Sequence, residues 1–233
     1  MAVGGDGTIN EVAAVLVGTS ATLGLVPCGS GNALGRHLGI HGSVTRALGL
    51  LATGVPRLID SGLADGRPFF CVAGLGFEAE LADRFNRLTQ RGFLRYLMLG
   101  ARTFASWQPQ DYTVTHAGGH ERWRAFTLAV ANTPQYGNNA RIAPGARTDD
   151  GLLDLCALPP ISPWNVLPLV VRLFAGTLDR AAAVNLRRGE RFVVERAAPG
   201  LLHTDGEGHP AGTRVEFIVR PASLRILVPA LRN

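Results

Sequence analysis

A glycine-rich turn, Gly4-Gly5-Asp6-Gly7-Thr8, opens the chain and has the composition of a phosphate site. Apolar residues from Ile9 to Leu16 follow it at the spacing of one helix face. Such a turn exposes backbone N–H groups at the positive end of a helix dipole, where anions bind. The Asp6 carboxylate could serve a proton or a metal ion, or could simply cap the helix. The turn therefore predicts phosphate binding.

A second turn of small residues, Gly29-Ser30-Gly31-Asn32, repeats this arrangement. It lies between a predicted strand over 22–26 and a predicted helix over 33–38. Ser30 could hydrogen-bond a phosphate, and Asn32 could hold the loop or face a nucleotide. Together the two turns predict two walls of one nucleotide crevice at the carboxyl ends of parallel strands. Taken alone, the second turn is also consistent with an ordinary strand-to-helix connection.

Two acidic segments lie further along the chain. In Thr204-Asp205-Gly206-Glu207 the carboxylates could form an acid/base or magnesium pair, although Asp-Gly alone favours a hairpin turn. The segment from Asp149 to Asp154 could hold a hard cation, and a surface turn between strands explains it equally well.

Composition limits the chemistry that the chain can use. The 23 basic residues are all arginine, because the chain contains no lysine, so a lysine-dependent P-loop is excluded and any phosphate clamp must use guanidinium groups. The net charge of +5 could favour an anionic membrane or a nucleic acid. Three widely spaced cysteines favour a reducing cytoplasm.

The hydrophobic patterning predicts an α/β plus β fold. Residues 1–55 are predicted to form part of an α/β nucleotide-binding domain, and residues 56–233 a β-rich domain whose last residues could return to the first. Helices are predicted over 9–17, 33–38, 44–52, 78–106 (interrupted near Gly92) and 164–175. Strands are predicted over 22–26, 57–61, 68–73, 111–116, 122–131, 152–158, 191–196, 213–219 and 223–228.

In this order the four segments resemble the diacylglycerol kinase catalytic family, which includes bacterial lipid kinases, sphingosine kinases and ceramide kinases. The resemblance implies a nucleotide-binding α/β domain, a β-sandwich-like second domain, and ATP in the cleft between them. It also implies Mg²⁺ and transfer of the γ-phosphate to a lipid hydroxyl. We accordingly expect a cytoplasmic protein peripheral to the inner membrane face, with a lipid and not a nucleic acid as partner; a homodimer remains open.

The resemblance also assigns roles to residues. Glu207 takes the position of the general base, with Asp205 and Asp6 as further catalytic carboxylates. Glu80 and Asp83 lie where related kinases meet a polar lipid head group. The structural metal of bacterial members would contact Asp150 and the backbone at Arg147 and Leu152. The nucleotide-binding residues would be Gly4, Gly5, Asp6, Gly7, Thr8, Asn10, Glu11, Gly29, Ser30, Asn32 and Arg95.

Two alternatives remain at this point. An NAD-kinase-like enzyme shares the first turn, but the Asp150 and Glu207 segments favour a lipid kinase. Family members also carry a strand and an Asn-Pro-x-Ser-Gly turn before the first glycine turn. We therefore expect a fragment or a mis-assigned start that binds ATP poorly, and an inactive lipid-binding or regulatory module stays a third alternative.

Overall fold

The computed structural model describes residues 1–29, 31–40, 42–87, 93–137, 139–162 and 164–230, with backbone alone for 93–97. The helices are α1 (Asp6–Leu16), α2 (Ala33–His37), α3 (Val44–Thr53), α4 (Phe77–Asn86), α5 (Phe93–Ser106) and α6 (Val166–Ala175), followed by a short 3₁₀ turn at Leu178–Arg180. The strands are β1 (Ala2–Gly4), β2 (Thr22–Leu23), β3 (Leu25–Pro27), β4 (Val55–Ala64), β5 (Arg67–Phe69), β6 (Val72–Gly76), β7 (Gln110–His116), β8 (Gly119–Ala125), β9 (Thr127–Ala131), β10 (Leu153–Leu158), β11 (Asn185–Gly189), β12 (Arg191–Arg196), β13 (Gly200–Thr204), β14 (Glu207–Ala211) and β15 (Arg214–Val228).

The N-terminal layer is a small α/β unit. Strands β1 and β3 pair in parallel, with Ala2 opposite Leu25 and Gly4 opposite Pro27. Helix α1 starts at Asp6, earlier than the apolar periodicity predicted, because its first turn carries no apolar residue to extend the pattern. The carboxyl ends of β1 and β3 therefore lie side by side.

Two antiparallel sheets form the larger part of the molecule. One has the order β11-β10-β9-β6-β13-β14, and the other has the order β5-β4-β15-β12-β7-β8 with β2 added in parallel on β15. Leu75 and Leu128 of the first sheet share one buried cluster with Phe192 and Phe217 of the second. Their packing makes the β-sandwich.

The central strands of the first sheet are covered on both faces. Every residue of β6 and β9 is buried. Alternate residues, such as Val72 and Ala129, belong to a second cluster that includes Leu25 and Leu34 of the α/β unit. The first sheet is thus the middle layer, with the α/β unit on one face and the second sheet of the sandwich on the other.

Several predicted strands have different bounds in the structure. The strand predicted over 122–131 divides at Phe126 into β8 and β9, which belong to different sheets. The strand over 22–26 divides into β2 and β3 for the same reason. Those over 213–219 and 223–228 join into β15, whose register shifts between Arg220 and Leu224. Strands β11, β13 and β14 were not predicted.

Candidate active site

The two glycine turns touch each other. The Cys28 N–H donates to the Gly4 carbonyl oxygen at 2.7 Å, which continues the pairing of β1 and β3 into the turns. A Cβ atom on Gly29 would lie 2.7 Å from the Gly5 Cα, closer than real contacts allow. Glycine is required there because the two backbones are in contact.

The Asp6 carboxylate joins the turns. Its Oδ2 accepts the Asn32 N–H at 2.8 Å and its Oδ1 accepts the Ala33 N–H at 2.7 Å. A Cβ atom on Gly31 would lie 2.6 Å from Asp6 Oδ2, so a side chain at this position would displace the carboxylate. Asp6 therefore caps α2, whereas its role as a catalytic or metal-binding carboxylate stays a prediction.

Asn32 holds the second turn closed. Its Oδ1 accepts the Gly29 N–H at 2.9 Å, and its Nδ2 donates to the Gly29 carbonyl oxygen at 2.5 Å. Its φ of 51° is left-handed, a conformation that asparagine adopts more readily than most residues. Of the two functions suggested for Asn32, the structure shows the holding of the loop. The predicted phosphate contact Ser30 lies outside the described residues.

Of the two helices that follow the glycine turns, α1 is the one whose N-terminus has no side-chain cap. Its first turn has backbone N–H groups with no partner inside the helix, and the preceding Gly5 makes no side-chain capping bond. Gly7 and Thr8 are exposed, and a Cβ atom on Gly7 would meet nothing within 4 Å. One turn further on, Asn10 is half-buried and Glu11 is exposed. Because Asp6 occupies the first amides of α2, α1 is the better anion site.

A hairpin brings the distant acidic segment to the site. Asp205 and Gly206 connect β13 to β14 with φ angles of 49° and 88°, the left-handed pair of a type I′ turn. The hairpin that Asp-Gly favoured is therefore present, and Glu207 is the first residue of its second strand.

Asp205 anchors this hairpin to the β5–β6 connection. Its carboxylate accepts the backbone N–H groups of Phe70, Cys71 and Val72 at 2.7, 2.8 and 2.9 Å. Burial of the carboxyl group raises the pKa of Asp205 to about 6, and the three amides oppose that rise. These bonds give Asp205 a positioning function and leave its assignment as a catalytic carboxylate a prediction.

The negative charges of Asp6 and Asp205 both affect the pKa of the Cys71 thiol. Burial raises the pKa of the Cys71 thiol well above its usual range, and the negative charges of Asp205 and Asp6 add to the effect. Cys71 is buried in the middle layer of the fold. The hairpin that carries Glu207 and the pair of glycine turns therefore approach the same point of the fold.

Glu207 differs from Asp205 in its surroundings. It is exposed, and it pairs across the hairpin with Thr204. The Thr204 hydroxyl contacts His209 Nε2 at 3.0 Å, and burial of the His209 ring lowers its pKa. An exposed carboxylate on an anchored hairpin can accept a proton from a bound substrate.

The predicted substrate residues lie on α4, which packs against the same hairpin. Asn86 donates to the Gly206 carbonyl oxygen at 2.9 Å, and a Cβ atom on Gly208 would lie 2.8 Å from the Asp83 Cβ. Asp83 pairs with Arg87 at 2.8 Å, and Glu80 pairs with Arg84 at 2.7 Å. The structure thus brings Asp83 next to the hairpin that carries Glu207.

A buried pair behind the hairpin escaped the sequence analysis. His203 Nε2 lies 3.5 Å from Glu78 Oε1, and neither atom has a hydrogen-bond partner within the described residues. His203 Nδ1 accepts the Gly206 N–H at 3.3 Å, so the ring also supports the turn. The one available signal was a carboxylate at the start of a helix, in the run Phe77-Glu78-Ala79.

The carboxylates of the segment predicted to bind a metal ion are paired with an arginine. The Asp150 carboxylate pairs with the Arg188 guanidinium and accepts the Leu152 N–H at 3.1 Å. Asp154 lies 3.5 Å from Arg188 Nε, while Arg147 pairs with Asp149 at 3.0 Å. Over the described ranges no cluster of three His, Cys, Asp or Glu residues could hold a metal ion. The Asp150 carboxylate is therefore paired with Arg188, and the contacts of a structural Mg²⁺ with Asp150 and the backbone at Arg147 and Leu152 stay a prediction.

Asp60, another residue that the sequence analysis missed, fixes the same segment. Its carboxylate accepts the Gly151 N–H at 2.8 Å and the Ala222 N–H at 2.7 Å. It is buried, and it ties the turn to the bulge of β15. The predicted nucleotide residue Arg95 lies in α5, where the side chain is outside the described part of the chain.

Comparison with known families decides the classification. The model described as the diacylglycerol kinase catalytic domain matches residues 1–64, and the YegS C-terminal NAD kinase beta sandwich-like domain matches residues 71–228. The chain belongs to the diacylglycerol kinase family. The family resemblance and the fold class of α/β plus β-sandwich are thereby confirmed.

Relatives of this diacylglycerol kinase family member cover nearly all of the chain. A probable lipid kinase YegS-like from Pseudomonas syringae pv. tomato is 30% identical over 97% of the chain and 74% of its own length. A diacylglycerol kinase from Mycobacterium tuberculosis is 30% identical over 98% of the chain and 76% of its own length. The chain spans about half, 54%, of an uncharacterized Synechocystis protein that is 29% identical.

Solved structures show the same fold. A putative diacylglycerol kinase from Bacillus anthracis has a TM-score of 0.76 at 18% identity, covering 96% of the chain and 74% of that structure. A second putative diacylglycerol kinase from the same organism has a TM-score of 0.77 at 19% identity. Among the described helices of this family member, none is long and apolar enough to cross a membrane.

Proposed function

We propose that the chain carries the transfer site of an ATP-dependent lipid kinase, which moves the γ-phosphate of ATP to a lipid hydroxyl. The observation that carries the proposal is the joining of two glycine turns by Asp6, with the open start of α1 beside them. Phosphoryl transfer requires positioning and charge neutralisation more than covalent chemistry. A rigid pair of turns at a helix start supplies positioning for phosphates.

The acceptor side of the proposal rests on the β13–β14 hairpin. Glu207 would take the proton of the lipid hydroxyl as its oxygen attacks the γ-phosphate. Asp205 and the Glu78–His203 pair would hold the turn, and Glu80 and Asp83 on α4 would meet the polar head group. The packing of α4 against the hairpin supports this arrangement.

Magnesium would enter with the nucleotide as the counter-ion of its phosphates, since Asp6, Asp205 and Asp150 already have partners. Asp6 is bonded to the amides of α2, Asp205 to those of the β5–β6 connection, and Asp150 to Arg188. The lipid would be met at the inner face of the membrane, with the protein on its cytoplasmic side.

The proposal is tested by incubating the protein with radiolabelled ATP, Mg²⁺ and mixed micelles of diacylglycerol, sphingosine, ceramide or undecaprenol. We expect one labelled lipid product on thin-layer chromatography. A parallel incubation with NAD tests the alternative kinase class. Labelled NADP without a labelled lipid would refute the proposal, and the absence of any labelled product would favour the inactive module.

A further inference from the structure

Helix α6 presents an apolar surface to solvent. Its inner side packs into the protein through Leu169, which is buried, and Leu173. Its outer side is also apolar: Leu167 is 67% exposed and Phe174 is 55% exposed, and Trp164 just before the helix is 90% exposed. We call the outer residues the α6 face; they are Trp164, Leu167, Val170, Val171 and Phe174.

The spacing of the α6 face makes it one continuous stripe. Leu167, Val171 and Phe174 recur at intervals of four and three residues, and Trp164 precedes Leu167 by one turn. A helix that is apolar on all sides is ordinarily buried on all sides. Five large apolar side chains in one exposed stripe therefore indicate a surface that binds a membrane or another protein.

Positive charge surrounds the carboxyl end of this face. Arg172 lies in the last turn and donates to the Thr177 carbonyl oxygen at 3.3 Å. The Arg141 side chain lies against Gly176, where a Cβ atom would come within 2.9 Å of its Cδ, and Arg141 is exposed. Arg180 follows and is exposed, and Asp179 is the sole acidic residue between 159 and 180.

We infer that the α6 face seats the protein on an anionic lipid bilayer. Exposed Trp, Leu and Phe would enter the interface between head groups and acyl chains, while Arg141, Arg172 and Arg180 would contact anionic head groups. Tryptophan is the side chain that prefers this interface. The α6 face would then be the surface through which the proposed lipid kinase binds the membrane. The biological role of this binding rests on the proposed function, although the binding itself requires no catalysis.

The positive charge beside the α6 face favours a membrane over a second copy of the chain as its binding partner. In a symmetric dimer through α6 the same patch would face itself, and residues 159–180 of the other copy would offer these arginines one carboxylate, Asp179. This excess of positive charge is poorly matched by a second copy of the same surface, whereas an anionic bilayer complements it. The net charge of +5 acts in the same direction.

The test is sedimentation of the nucleotide-free protein with vesicles of phosphatidylcholine containing phosphatidylglycerol, against pure phosphatidylcholine. We expect binding to the anionic vesicles, with about tenfold weaker binding after Leu167→Ser because apolar area is lost from the interface. The matched control is Val15→Ser, which removes a 77% exposed apolar side chain from α1 and should leave binding unchanged. Arg141→Ser should weaken binding to anionic vesicles, and Arg214→Ser, at another exposed arginine, should not.

Tryptophan fluorescence gives an independent readout. Anionic vesicles should shift the emission to the blue, and Trp164→Phe should remove that shift while the melting temperature stays unchanged. Equal binding by Leu167→Ser and Val15→Ser would overturn the inference, as would a wild-type dimer that Leu167→Ser dissociates. Failure of the micelle kinase assay would refute the proposed function without affecting this result, because vesicle binding is measured without nucleotide.

Discussion

The carboxylate of Asp6 accepts the backbone N–H of Ala33 at 2.7 Å, so the first residue of α1 caps the start of α2. An acidic residue at a helix start normally acts on its own helix. Here it fixes the distance between two turns that only their glycines allow to touch. Asp6 thus adds a side-chain connection to the backbone bond between Cys28 and Gly4 that already joins the two glycine turns.

Replacing Asp6 with alanine should loosen the paired turns. Two amides of α2 would lose their acceptor, and we expect a loss of about 1–2 kcal/mol in the free energy of unfolding. Urea denaturation measures this loss. Glu11→Ala, which removes an exposed carboxylate from the same helix, should change stability by less than about 0.5 kcal/mol. Equal effects of the two substitutions would show that the bonds to α2 do not stabilise the turns.

Glu207→Gln tests the proposed general base. Glutamine keeps the size and polarity of the side chain but cannot accept the proton, so lipid phosphorylation should fall by about a hundredfold or more. Because Glu207 is exposed, the melting temperature and the affinity for ATP, measured by calorimetry, should stay unchanged. Glu195→Gln, at an exposed carboxylate of β12, serves as control and should retain activity. Undiminished turnover in Glu207→Gln would remove Glu207 as the base.

The sequence was sufficient to predict what local pattern determines. The two glycine turns and the helices that follow them have a turn composition and an apolar periodicity that leave few alternatives. Asp205-Gly206 has the composition of a hairpin turn, although the strands β13 and β14 on either side of it were not predicted. Parallel pairing of β1 and β3 then brought the two turns together as expected.

Long-range contacts could not be predicted in this way. The bonds from Asp205 to the β5–β6 connection and from Asp60 to the turn at Gly151 join segments that no periodicity relates. The Glu78–His203 pair exists because α4 packs across β13, and that packing is a property of the assembled sheet. The break at Phe126 was hidden as well, since no Gly, Pro, Asn or Asp between Arg122 and Ala131 marks the end of a strand.

Arg188→Met should expose the Asp150 and Asp154 carboxylates that Arg188 neutralises. We expect the variant to be less stable than the wild type and to recover stability with millimolar MgCl₂, because oxygen ligands facing each other bind a hard cation. The melting temperature of the wild type should not respond to MgCl₂. Arg191→Met, which breaks the pair with Glu216 on β15, is the control and should not respond either. A wild-type increase that Asp150→Asn removes would instead support the structural magnesium implied by the family.

Asp205→Asn should change the pH dependence of stability. The pKa of Asp205 is about 6 in the folded protein, above the ordinary value for aspartate, because its carboxyl group is buried. The folded state therefore binds a proton that the unfolded state releases, and the contribution of Asp205 to stability decreases as pH rises from about 4 to about 6. A shift of that size corresponds to about 3 kcal/mol.

The difference in unfolding free energy between wild type and Asp205→Asn should therefore decrease over this pH range, as urea titrations at successive pH values would show. Asp65→Asn is the matched control, because Asp65 occupies the equivalent Asp-Gly turn between β4 and β5 and accepts a single backbone N–H, that of Glu216. Its difference from the wild type should not follow this course. A difference for Asp205→Asn that increased with pH would mean that the three amides outweigh burial, and that Asp205 is held ionised as the anchor of the Glu207 hairpin.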